Sequence, residues 1–126
     1  MTRFLLIGAG AALGANARFM VSVWAAGRFG VGFPFGTLIV NVTGSLLLGF
    51  LLELTTSRFI SSPEMRLFLA TGFLGSYTTF STYTVESLML MRTGSPWMGL
   101  LYIGSNIAVG LTFALLGIYL ARLFGA

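Results

Sequence analysis

The chain of 126 residues contains no cysteine, no histidine, no lysine and no aspartate. Without cysteine there is no disulfide framework, thiolate nucleophile, iron–sulfur cluster or thiolate zinc site. Without histidine there is no Ser-His triad and no imidazole metal site. Three carboxylates, Glu53, Glu64 and Glu86, leave little for acid–base chemistry. Charge of either sign is scarce: seven arginines and three glutamates make 8% of the residues. A soluble domain carries about 25% charged residues to keep its surface wet. The hydrophobic fraction is 56% and the mean hydropathy +0.95, far too apolar for a disordered chain. Composition therefore points to an integral membrane protein. The isoelectric point near 10.4 does not signal nucleic acid, because the arginines are dispersed and form no patch. In a membrane protein, loop arginines set topology.

A membrane-spanning helix needs roughly 20 mostly apolar residues. Four stretches qualify: Phe4–Ala26, Gly36–Leu54, Met65–Met91 and Trp97–Phe124. The connections between them are short, so the expected architecture is a single all-α domain of four membrane helices spanning residues 1–126. Arg3, Arg58, Arg66 and Arg122 then fall on one side and Arg28 and Arg92 on the other. That bias is small for a rule driven by arginine and lysine excess. It permits an N-inside, C-inside protein, and equally a chain that inserts both ways and pairs with an inverted copy. No internal repeat is visible, so inverted symmetry would need two copies of the chain.

Lipid tails do not drive apolar helices together, so small and polar residues mark helix contacts. Gly10 and Gly14, with Arg18 continuing at the same spacing, make one stripe. Asn41, Ser45 and Gly49 make a second; Asn106, Gly110 and Ala114 make a third. Each stripe carries one strongly polar residue. A buried arginine costs about 2.5 kcal/mol or more at a helix centre. Arg18 is therefore paired, snorkelling or lining an aqueous path. Glu86 is the carboxylate well inside a span, and either pairs with Arg18 or sits at a pore mouth.

The third span reads Thr71-Gly72-Phe73-Leu74-Gly75-Ser76-Tyr77-Thr78-Thr79-Phe80-Ser81-Thr82-Tyr83-Thr84 at its centre. Glycine weakens a helix entropically, and serine and threonine compete for backbone hydrogen bonds. The composition predicts either a break near Gly75–Thr79 or a continuous helix whose hydroxyls bond back to their own turns. A break at mid-membrane frees carbonyls suited to a small cation and amides suited to an anion. Phe80 and Tyr83, three residues apart, present neighbouring rings, whose positively polarised edges can face an anion.

At this point the chain resembles the Fluc (CrcB) family of bacterial fluoride channels along essentially its whole length. The resemblance rests on Gly14-Ala15-Asn16-Ala17-Arg18, on Gly36-Thr37-Leu38-Ile39-Val40-Asn41-Val42-Thr43-Gly44 and on Thr71 through Thr82. It implies an antiparallel, dual-topology homodimer in the bacterial inner membrane, with a third helix broken at mid-membrane and two fluoride pores. It implies a structural sodium ion at the dimer centre, held by the carbonyls matching Gly75 and Thr78 and not transported. It places Phe80, Tyr83, Asn41, Ser81 and Thr82 along the fluoride path. Glu86 and Tyr102 match vestibule positions, with Asn106 and Arg18 as further pore-mouth candidates. The implied function is passive fluoride export from the cytoplasm. The chain departs from the family pattern at three places. Tyr83 stands where phenylalanine is usual, Ser76 where glycine is frequent, and Gly110 and Ala114 interrupt a row of hydroxyls, with Thr112 out of register. The alternative of a small multidrug-type proton-coupled exporter, also of four spans, wants a carboxylate in the first span, where this chain has Arg18.

Overall fold

A computed structural model describes residues 1–57 and 62–125. Arg58, which the topology reading counts, lies outside the described residues. Among the described residues three helices are long and apolar enough to cross a membrane: α1, Thr2–Phe29; α2, Phe35–Thr56; and α6, Pro96–Leu123. Between α2 and α6 the chain forms α3, Pro63–Arg66, a π-helical segment Leu67–Leu74, the single turn α4, Gly75–Tyr77, and α5, Phe80–Thr93. No strand occurs among the described residues.

The helix ends follow local chemistry. Helix α1 runs unbroken through Ala15-Asn16-Ala17 and stops at Gly30, whose φ of 80° suits a residue without Cβ. Ser95 caps α6 by accepting from the Met98 N–H at 3.1 Å, with Pro96 in the first turn. Ser62 caps α3 in the same way, at 3.3 Å from the Met65 nitrogen. Between α4 and α5 the backbone leaves the helical region. Thr78 has φ −84° and ψ 158°, and Thr79 has φ −148° and ψ 121°. Thr79 then caps α5, its hydroxyl accepting from the Thr82 N–H at 3.3 Å.

Packing runs along the small-residue stripes. Gly10 and Gly14 of α1 press on the π-helical segment. A Cβ on Gly10 would strike the Phe68 carbonyl, and one on Gly14 the Phe73 carbonyl. The fit is mutual, since a Cβ on Gly72 would lie 2.7 Å from the Ile7 carbonyl oxygen. The stripes of α2 and α6 face each other. Asn41 bonds Asn106, Ser45 lies opposite Gly110, and Gly49 meets the Ala114 carbonyl. Such close backbone approach maximises dispersion contact where no hydrophobic force separates protein from lipid. Val40, Leu51, Leu74 and Tyr77 form the centre of the core, with Ala17, Val21 and Phe73 packed around it. The Tyr77 hydroxyl donates to Thr43 Oγ1 at 2.9 Å, because the Thr43 hydroxyl is itself committed to the Ile39 carbonyl at 2.6 Å.

Candidate functional site

The functional candidates converge on the extended residues between α4 and α5. Asn41, on the α2 face toward α6, uses its whole carboxamide there. Its Oδ1 accepts from the Thr79 N–H at 2.9 Å, and its Nδ2 donates to the Thr79 carbonyl and to Asn106 Oδ1, each at 3.1 Å. The reciprocal pair with one residue's N–H and C=O sets the amide's orientation. Asn106 passes the chain on, donating to the Tyr102 carbonyl at 3.0 Å. Thr79 is 8% exposed, so these bonds satisfy backbone groups that water cannot reach. Asn41 thus holds the interrupted backbone in place.

The same bonds explain which carbonyls are left over. In a continuous helix the Thr79 N–H would donate to Gly75, and the Thr82 N–H to Thr78. Here the first goes to Asn41 Oδ1 and the second to Thr79 Oγ1. The carbonyls of Gly75 and Thr78 are therefore released from their usual helical donors. Ser76 lies within the helical turn α4. Its hydroxyl donates to Ala11, Gly72 and Phe73 carbonyls in a shared contact, nearest to Ala11 at 2.8 Å.

Phe80 and Tyr83 stand on adjacent turns of α5 with centroids 5.8 Å apart and planes inclined by 55°. Phe80 is 76% exposed and helps line a cavity of about 220 Å³ together with Asn41, Ser45, Thr78 and Thr79. Tyr83 lies deeper, 5.7 Å from the ring of Tyr102. A second cavity, of about 310 Å³, is lined by Thr82 and Glu86 together with Ser22, Thr37 and Phe33. The two cavities flank the first turns of α5. Ser81 is exposed and lines neither of them, whereas Thr82 lines the second.

Glu86 accepts a hydrogen bond from Thr37 Oγ1 at 2.6 Å. The ion pair among the described residues joins Arg122 Nε to Glu53 Oε1 at 2.8 Å, at the ends of α6 and α2. The reading in which Glu86 pairs with Arg18 is thus not the one realised. Glu86 lines the wall of a cavity and is bound by a neutral donor, while Arg18 is half-buried on the Gly10–Gly14 face. Thr37 was not among the residues singled out by the sequence. It sits one helical turn before Asn41, and that i, i+4 spacing is the signal that would have found it. Tyr102 is fully buried, with the Phe33 ring edge-on at 5.3 Å. Its hydroxyl is surrounded by Glu86, Thr37, Asn106 and Tyr83, yet makes no hydrogen bond to a described protein atom. Thr112, by contrast, is spent on its own helix, bonding the Ala108 carbonyl at 2.7 Å.

The arrangement gathers donors, ring edges and released carbonyls, with no metal-binding cluster of acidic, histidine or cysteine residues among the described residues. Comparison with known proteins agrees with a transport role. A chain named fluoride-specific ion channel FluC from Rhizobium meliloti is 45% identical over 97% of this chain and 98% of its own length. Proteins of the same name from Roseiflexus sp. and Chlorobium phaeobacteroides are 47% and 46% identical, covering 94% and 95% of this chain and 95% and 93% of their own. These relatives are ion channels by name, not enzymes. The family described as CrcB-like protein, Camphor Resistance (CrcB), matches residues 5–118. A multi-pass membrane chain with these motifs, matched over nearly all its length, belongs to the CrcB family.

Proposed function

We propose that the protein is a passive, fluoride-selective channel of the bacterial cell membrane that lets fluoride leave the cytoplasm. The observation that carries this reading is near-complete alignment with chains named for fluoride, together with a site built of hydroxyls and ring edges. In this reading α3, the π-helical segment, α4 and α5 form the third membrane crossing, interrupted at Thr78 and Thr79. Two inverted copies meet at that interruption and form two pores. Such a crossing is tolerated at depth because Asn41 and the Thr79 hydroxyl satisfy the freed backbone amides.

Fluoride is small and strongly hydrated, so a pore must replace its water with several weak donors, binding it without trapping it. Phe80 and Tyr83 offer ring edges, and Thr82 offers a hydroxyl. Asn41 contributes chiefly by positioning, since its amide hydrogens are committed to Thr79 and Asn106. Glu86 sits at a pore mouth, where its hydrogen bond to Thr37 orients it. The phenol of Tyr83 already reaches toward the Ile103 carbonyl at 3.5 Å, which turns its hydroxyl away from a purely apolar pairing with Phe80.

The carbonyls of Gly75 and Thr78, freed of their helical donors, fit the donor set for a structural sodium ion. Two such carbonyls from each of two copies supply hard oxygens without a carboxylate. When bound, the cation raises the local potential for an anion and joins the two copies.

Purified protein in fluoride-loaded liposomes releases fluoride when a potassium ionophore is added, read by a fluoride electrode. Equally rapid chloride release under the same conditions would exclude a fluoride-selective pore. Exhaustive removal of sodium from both faces inactivates the channel progressively. An efflux rate that stays constant after full removal would rule out the central cation.

A further inference from the structure

A cavity of about 420 Å³ lies apart from the ion site, at the end of the molecule where α1 and α3 begin and α2 ends. Arg3 and Arg66 line it, and no carboxylate among the described residues does. Its remaining wall is mostly apolar, from Leu52, Leu67 and Ala70. We infer that this cavity is a binding site for the headgroup of an anionic phospholipid, the two guanidinium groups holding the phosphate and the apolar wall taking the start of the acyl chains.

Depth places the arginines at the right level. Helix α1 has 28 residues, and at 1.5 Å per residue spans about 42 Å against a hydrocarbon core of about 30 Å. Its ends therefore reach the headgroup layer, and Arg3 is the second residue of the helix. Arg66 closes α3 at the same end of the molecule. Guanidinium groups bind phosphate oxygens through two parallel N–H donors, a geometry that lysine cannot supply. Both arginines are exposed and neither is in an ion pair within 4 Å among the described residues.

Two carboxylates lie at this end: Glu53, which is paired with Arg122 at 2.8 Å, and Glu64. Ser62 Oγ donates to Glu64 Oε2 at 3.0 Å, which ties that carboxylate to the α3 cap. The two arginines are thereby left to an external anion. Free phosphate would use the same guanidinium groups but not the apolar wall.

Native mass spectrometry of the full chain in detergent, titrated with dioleoyl phosphatidylglycerol or dioleoyl phosphatidylcholine, tests this assignment. Phosphatidylglycerol is retained, and phosphatidylcholine is not. Each interfacial arginine is worth about a fivefold change in affinity, so Arg3→Gln and Arg66→Gln each weaken retention about fivefold and the double variant about 30-fold. Arg92→Gln, which removes an arginine outside the cavity, leaves retention unchanged. Equal retention by the double variant, or equal retention of the two lipids, overturns the proposal. Inorganic phosphate binding as tightly as phosphatidylglycerol also overturns it, because the site would then hold a free anion. Both single substitutions remove only exposed side chains, so a folded protein is available for the measurement.

Discussion

Replacing Phe80 with isoleucine stops fluoride efflux and leaves the protein folded. The side chain is 76% exposed in the chain, so its removal opens no cavity in the core. Substitutions at such positions change stability by within about 0.5 kcal/mol. The ring's neighbours are Tyr83, 5.8 Å away, and the cavity it shares with Asn41 and Thr79. Isoleucine keeps the apolar bulk but has no quadrupole, so it removes the positively polarised edge and little else. The measurement is liposome efflux beside size-exclusion elution in detergent. Efflux falls to the level of protein-free liposomes while the elution volume is retained. Wild-type efflux in this variant would mean that the ring is only packing. Phe80→Tyr keeps the ring edge and retains transport, which separates the electrostatic role from size.

Replacing Asn41 with leucine destabilises the fold as well as transport. Leucine matches the volume but leaves the Thr79 N–H and carbonyl buried without partners, and deprives Asn106 Oδ1 of its donor. Each unsatisfied buried group costs about 1–3 kcal/mol in water-soluble proteins. Interhelical hydrogen bonds in membranes average about 0.6 kcal/mol, because the unfolded chain also finds partners there. Three lost bonds therefore lower stability by about 2–4 kcal/mol, between these limits. Asn41→Asp keeps an acceptor for the Thr79 N–H but sets a carboxylate against the Thr79 carbonyl and Asn106 Oδ1, so its loss of thermal stability in detergent is at least as large. A leucine variant that melts with the wild type would show that Asn41 does not hold the interrupted backbone. The contrast with Phe80 is the useful one: the same assays separate loss of transport alone from loss of transport with stability.

Glu86 illustrates how far the sequence carries and where it stops. That a lone carboxylate inside an apolar stretch must be satisfied follows from transfer energy alone. Its partner does not. Arg18 is the obvious opposite charge, yet Thr37, 49 positions away, provides the bond. The choice depends on which face of α5 turns toward α2, and no local periodicity sets that. The stripes of α2 and α6 were legible as contact faces from their four-residue spacing. That they meet each other, glycine to backbone, is a tertiary fact.

The π-helical segment Leu67–Leu74 went unanticipated for a similar reason. Its residues carry no signal for a wider turn, and π-helices are rare as extended runs. Its carbonyls at Phe68 and Phe73 seat against Gly10 and Gly14, so the partner helix is part of what defines its shape.

Sequence alone determined that this protein lives in a membrane, that it has no thiolate or imidazole chemistry, and which small and polar residues mark helix contacts. These conclusions follow because transfer energies and side-chain chemistry belong to residues one at a time. Tertiary structure alone decided that Asn41 spends its amide on Thr79 and Asn106, that the Gly75 and Thr78 carbonyls lose their helical donors, and that Glu86 rests on Thr37. Those outcomes depend on groups 38, 65 and 49 positions apart, and a hydrogen bond exists only when packing brings its two ends together.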